Sequence, residues 1–151
     1  MSTLKEKLQS DLNGAIKSRN TVVAETIRMV LTAITNEEVA GKEKKELSDA
    51  EIITVLTREA KKRREAAEAF EAGGRADRAA AERAEGEVIA SYLPAQLSEA
   101  EIKNLIAEII ASVGATGPSD MGKVMGSLKA KVAGKADGAL VSSLVKEALN
   151  K

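Results

Sequence analysis

Residues 88–101 read Val-Ile-Ala-Ser-Tyr-Leu-Pro-Ala-Gln-Leu-Ser-Glu-Ala-Glu. This stretch decides how the chain is divided. Val88, Ile89, Tyr92 and Leu93 close one apolar helical pattern, and Pro94 interrupts it. The residue before a proline is disfavoured in the helical region, so a break is predicted near Leu93. Ser98-Glu99-Ala100-Glu101 then has the form of a capping box, a serine followed three residues later by a glutamate, and opens a new helix. The apolar residues on the two sides form independent sets. The chain is therefore divided at about 93/94, into a four-helix domain (1–93) and a small three-helix tail domain (94–151).

Upstream, the pattern is helical almost throughout. Leu4, Leu8, Leu12 and Ile16 recur at spacing four behind Thr3, with Glu6 completing a predicted capping box. Asn20 is placed to cap a second helix carrying Val23, Ile27, Val30, Leu31 and Ile34, predicted to end near Ala40-Gly41. Residues 42–47 read as an exposed connection. Ser48 and Glu51 form another box and start a third helix that runs to about Ala72, where Gly73-Gly74 breaks it. A fourth helix is predicted from Arg75 to about Ser91. Its apolar side is mostly Ala, which favours helix but buries little area. Helices three and four are therefore expected to project partly from the core as an antiparallel arm.

Downstream, Ile102, Leu105, Ile106, Ile109, Ile110 and Val113 mark the helix opened by Ser98, closed by Gly114 and Pro118. Ser119 or Asp120 is expected to cap a helix bearing Met121, Val124, Met125, Leu128 and Val132, and Gly134 closes it. Asp137 starts a last helix with Leu140, Val141, Leu144, Val145 and Leu149. Nothing alternates long enough to demand a strand, so the fold class is all-α.

Composition removes whole classes of chemistry. The 151 residues include no His, Cys or Trp, one Tyr and one Phe. Disulfides, thiolate nucleophiles and Cys- or His-ligated metal sites are excluded. So is a histidine base, and so is an aromatic platform for stacking successive bases. Carboxylate pairs such as Glu37-Glu38 and Glu82-Glu85 sit in charged or Ala-rich sequence, where nothing suggests the burial that would move their pKa values apart. No catalytic residue, metal or cofactor is assigned. With no signal peptide and no long apolar run, a cytoplasmic protein is expected.

The formal net charge is zero, yet residues 121–136 hold Lys123, Lys129, Lys131 and Lys135 and no acid. Gly122 and Gly126, four apart, share one helical face. A face without side chains admits the close approach of another backbone. That backbone is either a packed helix, with the lysines merely solvated, or a nucleic acid whose phosphates the lysines meet as point charges. Gly122-Lys123 is not a P-loop, for it lacks the upstream Gly, the Ser/Thr and the strand. A second basic run, Arg58, Lys61, Lys62, Arg63 and Arg64, reads either as a phosphate-tracking surface or as a solvated helix face laced with Glu59, Glu65 and Glu68.

Several segments are familiar together. They include Ile27-Arg28-Met29, Glu59-x-Lys61-x-Arg63, Gly74-Arg75-x-Asp77, Tyr92-Leu93-Pro94-x-Gln96-Leu97-Ser98, Asp120-Met121-Gly122-Lys123-Val124-Met125 and Gly134-x-x-Asp137-Gly138. In this order the chain resembles the GatB/YqeY family, most closely its free-standing YqeY-like members. The resemblance implies a helical N-terminal domain followed by a tail like the one that ends the GatB component of the tRNA-dependent amidotransferase. There the tail is a tRNA-contacting appendage and the chemistry resides elsewhere. The family label implies a carbon–nitrogen ligase with glutamine as amido-nitrogen donor, but it brings no established catalytic residues.

The expected function is that of a noncatalytic accessory protein for tRNA or for a tRNA-modifying or aminoacylating enzyme, with no membrane or DNA partner. The expected RNA-facing residues are Gly122, Lys123, Gly126, Lys129, Lys131 and Lys135, with Arg63 and Arg64 as a second surface. The alternatives are a helical protein–protein adaptor built on the arm and the ligase activity of the label.

Overall fold

The computed structural model describes residues 2–150. They form seven α-helices: α1 (Thr3–Lys17), α2 (Thr21–Glu38), α3 (Asp49–Ala72), α4 (Ala76–Ala90), α5 (Glu99–Val113), α6 (Met121–Val132) and α7 (Gly138–Leu149). One 3-10 turn, Pro118–Asp120, precedes α6, and there is no strand among the described residues. The chain separates into two compact units between Leu93 and Pro94.

In the first unit, Leu8 of α1, Ile27, Val30 and Ile34 of α2, Ile52, Val55 and Leu56 of α3, and Ile89 of α4 belong to one buried apolar cluster. Each such side chain, fully buried, contributes about 1.5–3 kcal/mol. The buried members of this cluster stop at Leu56 and Ile89, with Ala60 and Val88 partly buried against them. Farther along the α3–α4 pair, only Ala67 and Ala79 are buried hydrophobics. There the helices are joined instead by charge. The Arg63 guanidinium lies 3.0 Å from Glu82 and 3.6 Å from Glu85, and Arg83 pairs with Glu71.

Glu38, 2% exposed at the end of α2, receives Lys5 Nζ at 2.8 and 3.0 Å, and the Leu47 N–H at 3.5 Å. The Lys5 hydrogen bond holds its carboxyl below the usual carboxylate range, overcoming burial, which acts the other way.

Several local expectations shift. Ser2, not Thr3, caps α1: its Oγ accepts from the Lys5 N–H at 3.1 Å, so the helix begins one residue earlier. Helix α2 ends at Glu38, short of Ala40-Gly41, and its last turn closes on Val39 without a left-handed glycine. The 42–47 connection is exposed except at its last residue. Leu47 is 3% exposed and belongs to the core. The capping box at Ser48 forms with both of its hydrogen bonds.

In the second unit, Ile102, Ile106 and Ile109 of α5 pack on Val124, Leu128 and Val132 of α6 and on Val141, Leu144, Val145 and Leu149 of α7. Gly114 ends α5 in the left-handed conformation (φ 68°), which suits glycine. Asp120 does not cap α6 with its side chain. Its carboxylate turns back to accept from the Thr116 N–H at 2.9 Å, and that bond lowers its pKa.

Candidate nucleic-acid interface

Helix α6 turns Val124, Leu128 and Val132 inward and leaves Gly122, Lys123, Gly126, Lys129 and Lys131 exposed. From Lys123 to Lys131 the helix rises about 12 Å. Lys135 follows on the turn into α7 and is also exposed. Among the described residues, no ion pair engages any of the four ammonium groups. Lys123 does help hold the Asp120 carboxyl low, behind the stronger Thr116 hydrogen bond.

The glycines separate the two meanings of a bare helix face. A Cβ added to Gly122 or Gly126 would meet no atom within 4 Å. Within the second unit no helix packs against this face, so tight packing inside that unit does not account for the two glycines. Glycine inside a helix costs about 0.8–1 kcal/mol relative to Ala, and no packing contact of the described chain offsets it at Gly126.

The other basic run is built differently. Arg63 is 21% exposed and spans α3 and α4 between Glu82 and Glu85, so its charge is spent within the first unit. Sequence reasoning missed those partners, which lie 19 and 22 residues away; no local pattern signals them. Arg58 pairs with Glu37 of α2 at 3.3 Å, Lys62 with Glu59 at 3.3 Å, and Lys61 with Glu65 at 4.0 Å. Arg64 is exposed and also has an interaction partner. The structure thus gathers Gly122, Lys123, Gly126, Lys129, Lys131 and Lys135 onto one helix and its following turn, and places Arg63 and Arg64 on α3 of the other unit.

Among the described residues there is no group of three or more acids that would hold a metal, and no helix is long and apolar enough to cross a membrane. One apolar concavity of 390 Å³ lies between α5 and α7, walled by Ile106, Ile110, Leu144 and Ala148 and edged by Lys103 and Glu147.

These features define, over the described residues, an all-helical protein of two units, with a lysine-bearing helix on the second. A family model described as Yqey-like protein matches residues 5–149. The chain belongs to this YqeY-like family. No curated protein matches it.

Proposed function

We propose that the protein is a noncatalytic RNA-binding accessory factor, with tRNA or a tRNA–enzyme complex as its ligand, and that its second unit acts as a tail of the amidotransferase type. The observation that carries this reading is the outer face of α6. Two exposed glycines there have nothing packed on them, and Lys123 and Lys129, which no ion pair among the described residues engages, flank them. The glycines let a sugar–phosphate backbone come close, and the lysines meet its phosphates without reading bases. The chain lacks the aromatics for stacking, so binding is salt-dependent and largely sequence-independent.

Filter binding of labelled tRNA at low salt tests this. A variant with Lys123, Lys129, Lys131 and Lys135 all changed to Ala is expected to lose affinity by at least tenfold. Its slope of log K against log salt should become shallower by roughly 0.7–0.9 for each phosphate no longer neutralised. Equal affinity of the two proteins sinks the proposed surface. Glutamine-dependent amidation by the purified chain would instead establish the ligase reading. Capture of a protein that survives nuclease and is lost on deleting residues 58–90 would establish the adaptor reading.

A further inference from the structure

The Tyr-Leu-Pro-x-Gln-Leu segment, so far only a mark of division, also bears on Lys135. Val132 to Lys135 form a type II turn. Ala133 has φ −55° and ψ 119°, Gly134 has φ 73°, and the Lys135 N–H donates to the Val132 carbonyl at 2.9 Å. Gln96 Nε2 donates to the Gly134 carbonyl at 2.8 Å and to the Pro94 carbonyl at 2.9 Å. Next to it, the Leu97 N–H donates to the Lys135 carbonyl at 2.9 Å. Both peptide groups that flank the Lys135 Cα are therefore tied to residues 96 and 97. With its two peptide planes held, the direction in which Lys135 leaves the backbone is held as well. Carbonyl oxygens only accept, so the side-chain group facing both of them must be a donor, which a Gln amide supplies and a carboxylate does not.

We infer that Gln96 is a positioning residue for RNA binding: it clamps the α6–α7 turn so that Lys135 projects alongside the lysines of α6. This rests on the RNA reading above. The advantage is pre-organisation, since a lysine already aimed loses less freedom when it meets a phosphate.

The test is a double-mutant cycle in the full-length chain, with labelled tRNA as the probe. Gln96→Met keeps the length of the side chain and removes its donors. It is expected to weaken binding about threefold to tenfold and to make the salt slope shallower by roughly 0.7–0.9, the value for one phosphate, although no charge has been removed. Lys135→Ala should do the same, and the double variant should be little worse than either single one. Wild-type affinity and slope for Gln96→Met, or full additivity of the two changes, overturns the inference. The quadruple lysine variant separates this outcome from failure of the RNA reading itself. If that variant binds tRNA as the wild type does, RNA binding at α6 falls, and amide hydrogen exchange decides the clamp. Faster exchange at Leu97 and Lys135 in Gln96→Met keeps Gln96 as the clamp of the turn, and unchanged exchange removes it.

Discussion

At Gly126, stability and the proposed function pull in opposite directions. The position is exposed and helical, with open space where a Cβ would stand. Gly126→Ala is therefore expected to stabilise the second unit by about 0.8–1 kcal/mol, read as a rise in the denaturant midpoint. The same methyl group would hold an approaching sugar–phosphate backbone away and weaken tRNA binding. Such an exchange of binding for stability is what a glycine kept for contact predicts. A variant that is more stable and binds equally well would show that the glycine serves no ligand. The pattern of small residues and lysines was legible in the sequence, because everything that defines it lies within 16 consecutive positions. The clearance around Gly122 and Gly126 was not, since spacing on one helix does not reveal what faces it.

Among the elements, helices were the most legible feature, because their signals are local. Ser48, Ser98 and Asn20 each accept from the backbone N–H three residues on, as their places before apolar periodic runs predict. The misses needed distant partners. Leu47 packs into the apolar cluster while its N–H donates to Glu38, and Asp120 turns away from its own helix toward Thr116. The α3–α4 pair shows the same divide. Its Ala-rich sequence announces little apolar burial, but not that Arg63 binds Glu82 and Glu85 across the helices. Removing Arg63 leaves those two carboxylates, 19% and 29% exposed, without the cation between them. The groups are partly solvated, so Arg63→Ala is expected to cost about 1–2 kcal/mol rather than the larger figure for a fully buried pair. The loss should be local. Amides of residues 64–84 should exchange faster, while those around Leu56 and Ile89, inside the apolar cluster, keep their protection. Uniformly faster exchange across both units would contradict this division of the arm.

For the whole molecule, acid should act unequally on the two units. The buried charged residues, Glu38 and Glu59, both belong to the first unit; the core of the second is wholly apolar. Three carboxylates are held below their ordinary pKa, Glu38 and Glu51 in the first unit and Asp120 in the second. Of these only Glu38 is buried, so the two more exposed ones contribute little and the larger share falls on the first unit. The folded pKa of Glu38 is depressed below the ordinary 4.5, first by the Lys5 hydrogen bond. A depressed carboxylate stabilises the folded state fully above its unfolded value, and the contribution is lost as pH falls through the folded one. From about pH 4.5 downward the first unit should therefore weaken more than the second, where the more exposed Asp120 is the depressed carboxylate. The single tyrosine makes this measurable. Tyr92 belongs to the first unit, where its hydroxyl donates to Asp11 at 2.5 Å and Lys7 lies 5.3 Å from its ring centre. Burial, followed by the Asp11 contact, raises its pKa above the ordinary tyrosine value, so it stays protonated throughout the acid range. In an acid titration, the tyrosine fluorescence transition should come at higher pH than the final loss of far-ultraviolet circular dichroism, to which α5, α6 and α7 still contribute. Two probes that part company in this way show that unfolding is not two-state. Glu38→Gln removes the titrating group and should flatten the fluorescence transition between pH 4.5 and its acid limit, at a cost in stability near neutral pH. Coincident transitions in the wild type would mean that the two units unfold as one.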